Sequence, residues 1–177
     1  MRQKETKRLC AYFSREGGNY VNGKIVRLVK GNTQTAAETI ASLLRCDTFR
    51  IQAVTAYPDG YEQAANAAKE ELRQNARPAL TGAVQGMNSY PVILLGYPNW
   101  WGTMPMPVYS FLEQYDFSGK ILLPFCTHEG SGMGRSEAEI KRLCPKADVR
   151  EGLTIRGSSV GHAKADIEKW LQKNGLL

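Results

Sequence analysis

The chain has 177 residues, 42% hydrophobic and 23% charged, which is typical of one globular domain with its own core. No apolar run approaches the roughly 18 residues that a membrane-spanning helix needs. The segment from Met1 to Lys7 is too polar for a secretion signal. We therefore expect a single domain over residues 1–177 that functions in the cytoplasm, without a membrane partner.

Cysteine spacing and charge exclude further classes. The four cysteines show neither C-x-x-C spacing nor paired histidines, which argues against a zinc site, and we expect reduced, mostly buried thiols at Cys10, Cys46, Cys126 and Cys144. Lysine and arginine outnumber acids by 23 to 17, a net charge of +6 that is dispersed along the chain. A dispersed excess favours anionic partners only weakly, and we expect no nucleic-acid partner.

Five short apolar runs predict strands. They are Leu9 to Phe13, Thr48 to Gln52, Pro91 to Gly96, Ile121 to Cys126 and Val149 to Ile155. The first, third and fourth are almost continuously apolar, as expected of strands in a parallel sheet that is covered on both faces.

Amphipathic segments with helical spacing separate and follow these runs. Their apolar faces comprise Ala37, Ile40, Ala41 and Leu44; Tyr61, Ala65, Ala68 and Leu72; Val108, Phe111, Leu112 and Tyr115; Ile140 and Leu143; and Ala163, Ile167, Trp170 and Leu171. Ser136 with Glu139 fits a capping box at the start of the fourth helix. The pattern also makes Trp170 a core residue.

Strands alternating with helices predict a doubly wound α/β domain with right-handed crossovers. Ligands of such sheets bind outside the carboxyl ends of the strands, where the strand order reverses. The loops after Phe13, Gly96 and Cys126 are therefore the places to look for a site.

The loop after the first strand begins with Ser14-Arg15 and reaches a helix through residues 31–35, Gly-Asn-Thr-Gln-Thr. Glycine and small hydroxyl residues at a helix start surround a phosphate with N–H and O–H donors, aided by the helix dipole. Alternatively, Asn32 or Thr33 is simply the N-cap of the helix. The local sequence supports both interpretations equally.

The loop after the third strand holds two adjacent tryptophans, Trp100 and Trp101, in a segment rich in proline and glycine. Tryptophan usually packs its large ring in a core, so a tandem pair in a turn-rich loop indicates a surface for stacking a flat aromatic ligand. Trp101, beside the flexible Gly102, is the better candidate for stacking, since Trp100 is equally suited to bracing the loop against the core.

The loop after the fourth strand, residues 127–134, contains four glycine or serine positions that let backbone N–H groups approach a ligand edge. Ser131 lacks the G-x-S-x-G pattern of a hydrolase nucleophile. The glycines follow the fourth strand, whereas a dinucleotide fingerprint follows the first. A flat ligand between this loop and the tryptophans is the more economical interpretation.

Taken together, these motifs closely resemble those of flavodoxin-like FMN proteins, over nearly the whole chain from about Arg8 to the last helix. The matching segments are Phe13-Ser14-Arg15, Gly31-Asn32-Thr33, Tyr57-Pro58, Asn75-Ala76-Arg77-Pro78, the PNWWGTMPMP loop from Pro98 to Pro107, and the stretch from Pro124 to Gly132. The resemblance implies a five-stranded parallel sheet in the order 2-1-3-4-5, with helices on both faces and FMN at the switch point between strands one and three.

The resemblance also implies a set of FMN contacts. The phosphate would be held by Ser14, Asn32, Thr33 and Thr35. One side of the isoalloxazine ring would be lined by Pro98, Asn99, Trp100, Trp101 and Gly102, and the other by Thr127, His128, Glu129, Gly130 and Ser131. No catalytic residue and no metal ligand is implied.

The chain departs from the family in its phosphate loop, where residues 16–30 replace what is usually a single residue. Asn22-Gly23 is a strong two-residue turn signal, which predicts a short hairpin. We favour a surface excursion that leaves the phosphate site intact. The alternative is a lid, in which Tyr20 and the basic Lys24, Arg27 and Lys30 cover the phosphate or dock an anionic partner.

The function implied by the resemblance is electron transport by a non-covalently bound flavin, between a reductase and an acceptor protein. Flavodoxins of the carrier type are typically acidic, whereas this chain is basic, which leaves open an NAD(P)H-dependent oxidoreductase acting on a quinone or another small acceptor. We favour the carrier, because no residue resembles a dedicated nicotinamide site. A scaffold that binds no flavin is disfavoured by the intact tryptophan and glycine loops.

Overall fold

A computed structural model describes residues 6–177 and shows a parallel sheet flanked by helices. The strands are β1 (Arg8–Tyr12), β2 (Gly17–Val21), β3 (Lys24–Leu28), β4 (Asp47–Arg50), β5 (Val92–Pro98), β6 (Ile121–His128), β7 (Asp148–Val149) and β8 (Leu153–Arg156). The α-helices are α1 (Asn32–Leu44), α2 (Tyr61–Arg73), α3 (Met106–Gln114), α4 (Ser136–Leu143) and α5 (Lys164–Lys173). Short 3₁₀ helices cover Met87–Ser89 and Gly157–His162.

The main sheet has the order β4-β1-β5-β6-β7, with β8 also paired to β6, and every pairing in it is parallel. This confirms the predicted doubly wound α/β fold and the order 2-1-3-4-5. The chain order reverses between β1 and β5, so the switch point lies at their carboxyl ends.

The fifth predicted strand differs from expectation because it is divided into β7 and β8. Its two parts pair with residues 121–122 and 125–128 of β6, on either side of Pro124. Proline has no N–H to donate. The N–H of Gly152, in the break, instead donates to a carboxylate oxygen of Glu137 at 2.5 Å.

Two apolar layers cover the sheet. One face packs against α3 and α4 through side chains such as Phe111 and Ile140, both fully buried. The other packs against α1 and α5, where Ile40 and Ile167 are fully buried and Trp170 is 7% exposed. The predicted core role of Trp170 is confirmed, and its indole N–H donates to the carbonyl of Glu151 at 3.1 Å.

The prediction for the cysteines is confirmed, whereas the predicted capping box of α4 is not. The four cysteines are free thiols, three of them buried and Cys46 half-buried, as expected. The capping box of Ser136 and Glu139 is wrong, because Arg135 is the N-cap and Ser136 lies inside the helix. The fully buried Ser136 hydroxyl donates to the carbonyl of Met133 at 2.7 Å and accepts from the Tyr97 hydroxyl at 2.9 Å.

Within residues 6–177, every helix falls short of the length and apolar character that a bilayer crossing requires.

Replacing Phe111 with alanine should lower the free energy of unfolding by about 3–5 kcal/mol, because it removes a large buried ring and leaves a cavity. The Phe111 ring contacts Phe49, Tyr115 and Phe117 at centroid distances of 5.2–6.0 Å. Urea denaturation would measure the change. Val29→Ala, at a side chain that is 95% exposed, is the control and should stay within about 0.5 kcal/mol of the parent. A loss of similar size in both variants would contradict this assignment of the core.

Candidate functional site

A cavity of about 400 Å³ opens at the carboxyl edge of the sheet, at the switch point between β1 and β5. Its volume lies within the roughly 300–1,000 Å³ that is usual for small-molecule and cofactor sites. All the sequence-predicted site residues except Thr35 and Gly102 line it: Ser14, Asn32, Thr33, Pro98, Asn99, Trp100, Trp101, Thr127, His128, Glu129, Gly130 and Ser131.

The amino end of α1 forms one end of the cavity. Gly31 is its N-cap, in an extended conformation, and neither a side-chain cap nor an acidic residue is present in the first turn. The alternative in which Asn32 or Thr33 is the N-cap is therefore wrong. The hydroxyl oxygen of Ser14 accepts the N–H of Gln34 at 3.0 Å. A Cβ at Gly31 would lie 2.2 Å from that same oxygen, so only glycine permits this close approach.

Two threonines near this helix behave differently. Thr33 is buried, and its hydroxyl lies 2.7 Å from that of Thr127, which joins the first and fourth loops across the floor of the cavity. Thr35 does not line the cavity. Its hydroxyl turns back to the carbonyl of Gly31 at 3.4 Å, as hydroxyls inside helices often do.

Asn99 holds the tryptophan loop in place. Its side-chain amide donates to the carbonyl of Gly132 at 2.7 Å, its side-chain oxygen accepts the N–H of Gly102 at 2.9 Å, and its own N–H donates to the carbonyl of Thr127 at 2.8 Å. Gly102 therefore shapes the loop without lining the cavity. It adopts a φ of +81°, which glycine accepts without steric cost.

The two tryptophans have separate roles. Trp100 packs edge-on against Phe13 and Tyr57, at centroid distances of 5.2 and 5.0 Å, so it braces the loop against the core while lining the cavity. Trp101 is 47% exposed and has a left-handed φ of +56°. Its indole N–H donates to the carbonyl of Ala65 at 2.9 Å, which ties the loop to α2.

A hydrogen bond to His128 determines which of its ring nitrogens carries the proton. Its Nδ1 accepts the N–H of Gly130 at 2.9 Å, which leaves Nε2 to carry the proton of the neutral ring. Burial lowers the pKa of His128 from its ordinary value, and nearby Arg156 lowers it further, while Glu129 opposes the shift. The ring therefore lines the cavity as a neutral group.

Glu129 connects distant segments of the chain. One carboxylate oxygen accepts the N–H of Asn22, at the tip of the β2-β3 hairpin, at 3.0 Å, and the other accepts the N–H of Ser158 at 2.6 Å. The side chain is only 13% exposed, and Arg156 lies 3.9 Å away. Glu129 thus links the tip of the hairpin, through one oxygen, to the 3₁₀ helix at Gly157–His162, through the other.

Further residues line the cavity, and of these the sequence interpretation had named only Tyr20, in the lid alternative. They are Arg15, Asn19, Tyr20, Tyr61, Ala64, Ala65, Ala68 and Gly157. Ala64 and Ala68 are buried although they belong to neither core layer, so this part of α2 faces the cavity instead of the sheet. Their small size was the available signal, because a core-facing helix normally carries larger apolar side chains.

Residues 16–30 form the predicted hairpin, with Asn22 and Gly23 at φ +48° and +83° in its turn. The insertion leaves Ser14, Asn32 and Thr33 together at the cavity, and Tyr20 lines the cavity as well. The basic residues of the hairpin do not line it. Arg27 pairs with Asp59 and Lys30 with Glu38.

Arg15 lines the cavity, but its guanidinium is occupied. It donates to the carbonyls of Gly18, Pro58, Asp59 and Gly60, and so fastens the base of the hairpin to the start of α2. Burial lowers its pKa from the ordinary value. This arginine therefore builds the wall and is not free to hold a phosphate.

The fold and the site define a doubly wound α/β protein whose switch point carries a cavity between the amino end of α1 and an aromatic wall. The family model described as Flavodoxin matches residues 7–174, and the chain belongs to this family. No curated protein matches the chain.

Solved structures agree on the fold. A candidate flavoprotein from Bacteroides eggerthii is 25% identical, with a TM-score of 0.74, over 94% of this chain and 96% of that one. Another from Bacteroides uniformis is also 25% identical, with a TM-score of 0.74, over 96% and 99% of the two chains. A flavoprotein from Lactobacillus acidophilus, solved in complex with FMN, is 19% identical with a TM-score of 0.65. The match covers 89% of this chain and 97% of that one.

Replacing Glu129 with alanine should loosen the hairpin, because two backbone N–H groups lose a charged acceptor that is worth about 1.5–3 kcal/mol for each bond. The strand β3, which carries the exposed Lys24 and Arg27, then opens locally more often, and we expect trypsin to cleave there about tenfold faster. Glu62→Ala, which removes an exposed carboxylate from α2, is the matched control and should be cleaved at the parent rate. Equal rates in all three proteins would contradict the fastening role.

His128 should titrate below its ordinary pKa of 6.5 in the folded protein, because burial disfavours the charged ring. Its contribution to stability is then full above the unfolded-state pKa and is lost as the pH falls through the folded-state pKa. Proton NMR of the ring would measure the midpoint, and a His128→Gln variant would assign the signal. A midpoint above 6.5 would contradict this description.

Proposed function

We propose that this protein binds FMN non-covalently in the cavity and carries electrons between redox partner proteins. Family membership and the geometry of the cavity support the proposal. The similar flavoprotein from Lactobacillus acidophilus is an FMN complex, which is consistent with the same ligand. When bound, FMN supplies reversible one- and two-electron chemistry, while the protein supplies binding, orientation and electrostatics.

The amino end of α1 is the single observation on which the proposal mainly rests. The N-cap residue Gly31 supplies no side-chain cap, and the first turn holds no acid. Asn32, Thr33 and Ser14, whose hydroxyl accepts the N–H of Gln34, surround this end. Free N–H groups, hydroxyls and the positive end of the helix dipole suit a phosphate. This end is closely packed, since a Cβ at Gly157 would lie 2.4 Å from the side-chain nitrogen of Asn32 and 2.7 Å from a carboxylate oxygen of Glu129.

The other end of the cavity suits a flat ring. Pro98, Asn99 and the tryptophans line one side, and residues 128–131 line the other. The neutral ring of His128 brings no charge to this end. The carboxylate of Glu129 lies beside Asn32 instead, where two backbone N–H groups compensate its charge. These side chains would exclude water from a bound isoalloxazine and hold it between aromatic and backbone surfaces.

The cavity favours the carrier over an NAD(P)H-dependent oxidoreductase. A nicotinamide dinucleotide carries phosphates, and a site for it needs free donors or cations beyond those at the end of α1. Within residues 6–177, Arg15 is the only arginine or lysine that lines the cavity, and its guanidinium donates to four backbone carbonyls. A carrier needs no such second site.

Visible absorbance of the purified protein, followed by titration of the flavin-free protein with FMN, tests the proposal. We expect flavin bands and saturable binding. A Trp101→Ala variant should bind FMN about fivefold more weakly, because aromatic stacking contributes about 1 kcal/mol beyond the burial of area. Val54→Ala, at an exposed apolar residue that does not line the cavity, is the control and should bind like the parent.

Two results would overturn the proposal at different levels. Absence of both flavin bands and FMN binding would exclude FMN as the ligand. Steady oxidation of NADPH with a quinone, in the absence of any reductase, would replace the carrier by the oxidoreductase. Unchanged FMN affinity in Trp101→Ala would contradict the stacking role of that ring alone.

A further inference from the structure

Exposed aromatic side chains lie at the mouth of the cavity. Tyr20, Tyr61 and Trp101 all line the cavity, yet they are 45%, 39% and 47% exposed. The rings of Tyr20 and Tyr61 lie 6.2 Å apart. Tyr20 and Ile25 are cross-strand partners in the hairpin and share one of its faces, and Ile25 is also exposed. An aromatic and apolar surface therefore continues from the cavity onto the hairpin.

Two cations flank Trp101. The ammonium of Lys69 lies over its ring, 5.0 Å from the centroid. Arg135 lies beside the next residue, Gly102, since a Cβ at Gly102 would be 3.9 Å from its guanidinium and its backbone N–H donates to the Gly102 carbonyl. Both are exposed, and neither forms an ion pair within the described residues 6–177.

Few acids offset these cations. Asp59 pairs with Arg27, and both oxygens of Glu129 accept backbone N–H groups. Of the acids in the first part of α2 and beside Lys69, Glu62 is exposed, Glu70 pairs with Arg73, and Glu71 accepts from the Tyr57 hydroxyl. The aromatic mouth thus lies in a locally positive field, in a chain whose net charge is already +6.

We propose that Tyr20, Tyr61, Trp101, Lys69 and Arg135 form a docking surface for a redox protein that presents acidic side chains around an apolar centre. The inference rests on the proposed carrier function and names the charge of its partner. Tyrosine, tryptophan and arginine are the side chains most enriched at interface hot spots. A small surface of this kind suits a transient electron-transfer complex, which typically buries less than about 1,200 Å².

Other occupants fit less well. A second copy of this chain would bring the same positive charges face to face, which costs free energy. A bilayer would require the hairpin to insert, but its tip is the polar pair Asn22-Gly23, and Glu129 fastens Asn22 to the body of the protein. An acidic protein surface meets both the charge and the apolar centre.

Stopped-flow electron transfer from the reduced, FMN-loaded protein tests the proposal with two soluble probes, an acidic cytochrome b5 and a basic cytochrome c. At low ionic strength we expect faster transfer to the acidic probe. The double variant Lys69→Glu with Arg135→Glu should slow that transfer about tenfold. The difference should nearly disappear at about 0.5 M salt, where charges are screened within a few ångströms.

Lys146→Glu is the matched control, because Lys146 is exposed just before β7, at the opposite edge of the sheet from the cavity. It should leave the rate within about twofold of the parent, since its charge is more than a Debye length from the docking surface. Equal slowing in the control and the double variant would overturn the proposal, as would equal rates to the two cytochromes.

Two further readouts separate this proposal from its alternatives. Co-sedimentation with phosphatidylglycerol vesicles that is lost in the double variant would replace the protein partner by a membrane surface. The visible spectrum of each sample separates FMN binding from the docking surface: a protein without bound flavin contradicts both. A flavin-loaded protein whose electron-transfer rate changes neither in the double variant nor with salt contradicts the docking surface alone.

Discussion

The parallel pairing of β1, β5 and β6 is the interaction on which the site depends. In register, Tyr12 pairs with Gly96 and Gly96 with Phe125, so three buried strands end together at one edge. Backbone bonds continue just past the ladder, from the N–H of Phe13 to Gly96 and from the N–H of Asn99 to Thr127. The first, third and fourth loops therefore meet because the strands that carry them cannot shift relative to one another without losing their hydrogen bonds and buried contacts.

The cavity is completed by segments whose positions the sheet alone does not determine. The hairpin and α2 approach from outside it, and they are fastened by polar contacts instead of a large apolar interface. Arg15 binds backbone carbonyls at the base of the hairpin, Glu129 binds its tip, and the indole of Trp101 binds α2. The charged groups of Arg15 and Glu129 thus bind backbone atoms of the cavity wall. The end of α1 is therefore the part of the cavity that suits a phosphate.

The elements that were predicted correctly from the sequence are those set by apolar periodicity and by the residues of tight turns. Continuous apolar runs indicated buried parallel strands, and the Asn22-Gly23 pair indicated the hairpin, because its turn requires two positive φ angles. The wall formed by α2 was missed, since Ala65 and Ala68 have the same helical spacing whether they face a core or a cavity. The capping box failed at Ser136 because a distant hydroxyl, that of Tyr97, competes for the serine oxygen. Such tertiary contacts are not encoded in local spacing.

Comparison of FMN with riboflavin as ligands of the flavin-free protein tests the central claim most directly, because the two differ only in the phosphate. If the uncapped end of α1 holds that phosphate, FMN should bind at least about tenfold more tightly, the equivalent of one charge-assisted hydrogen bond. Fluorescence quenching on titration would measure both dissociation constants. Equal affinities would contradict the account, since the end of α1 would then have no role in binding.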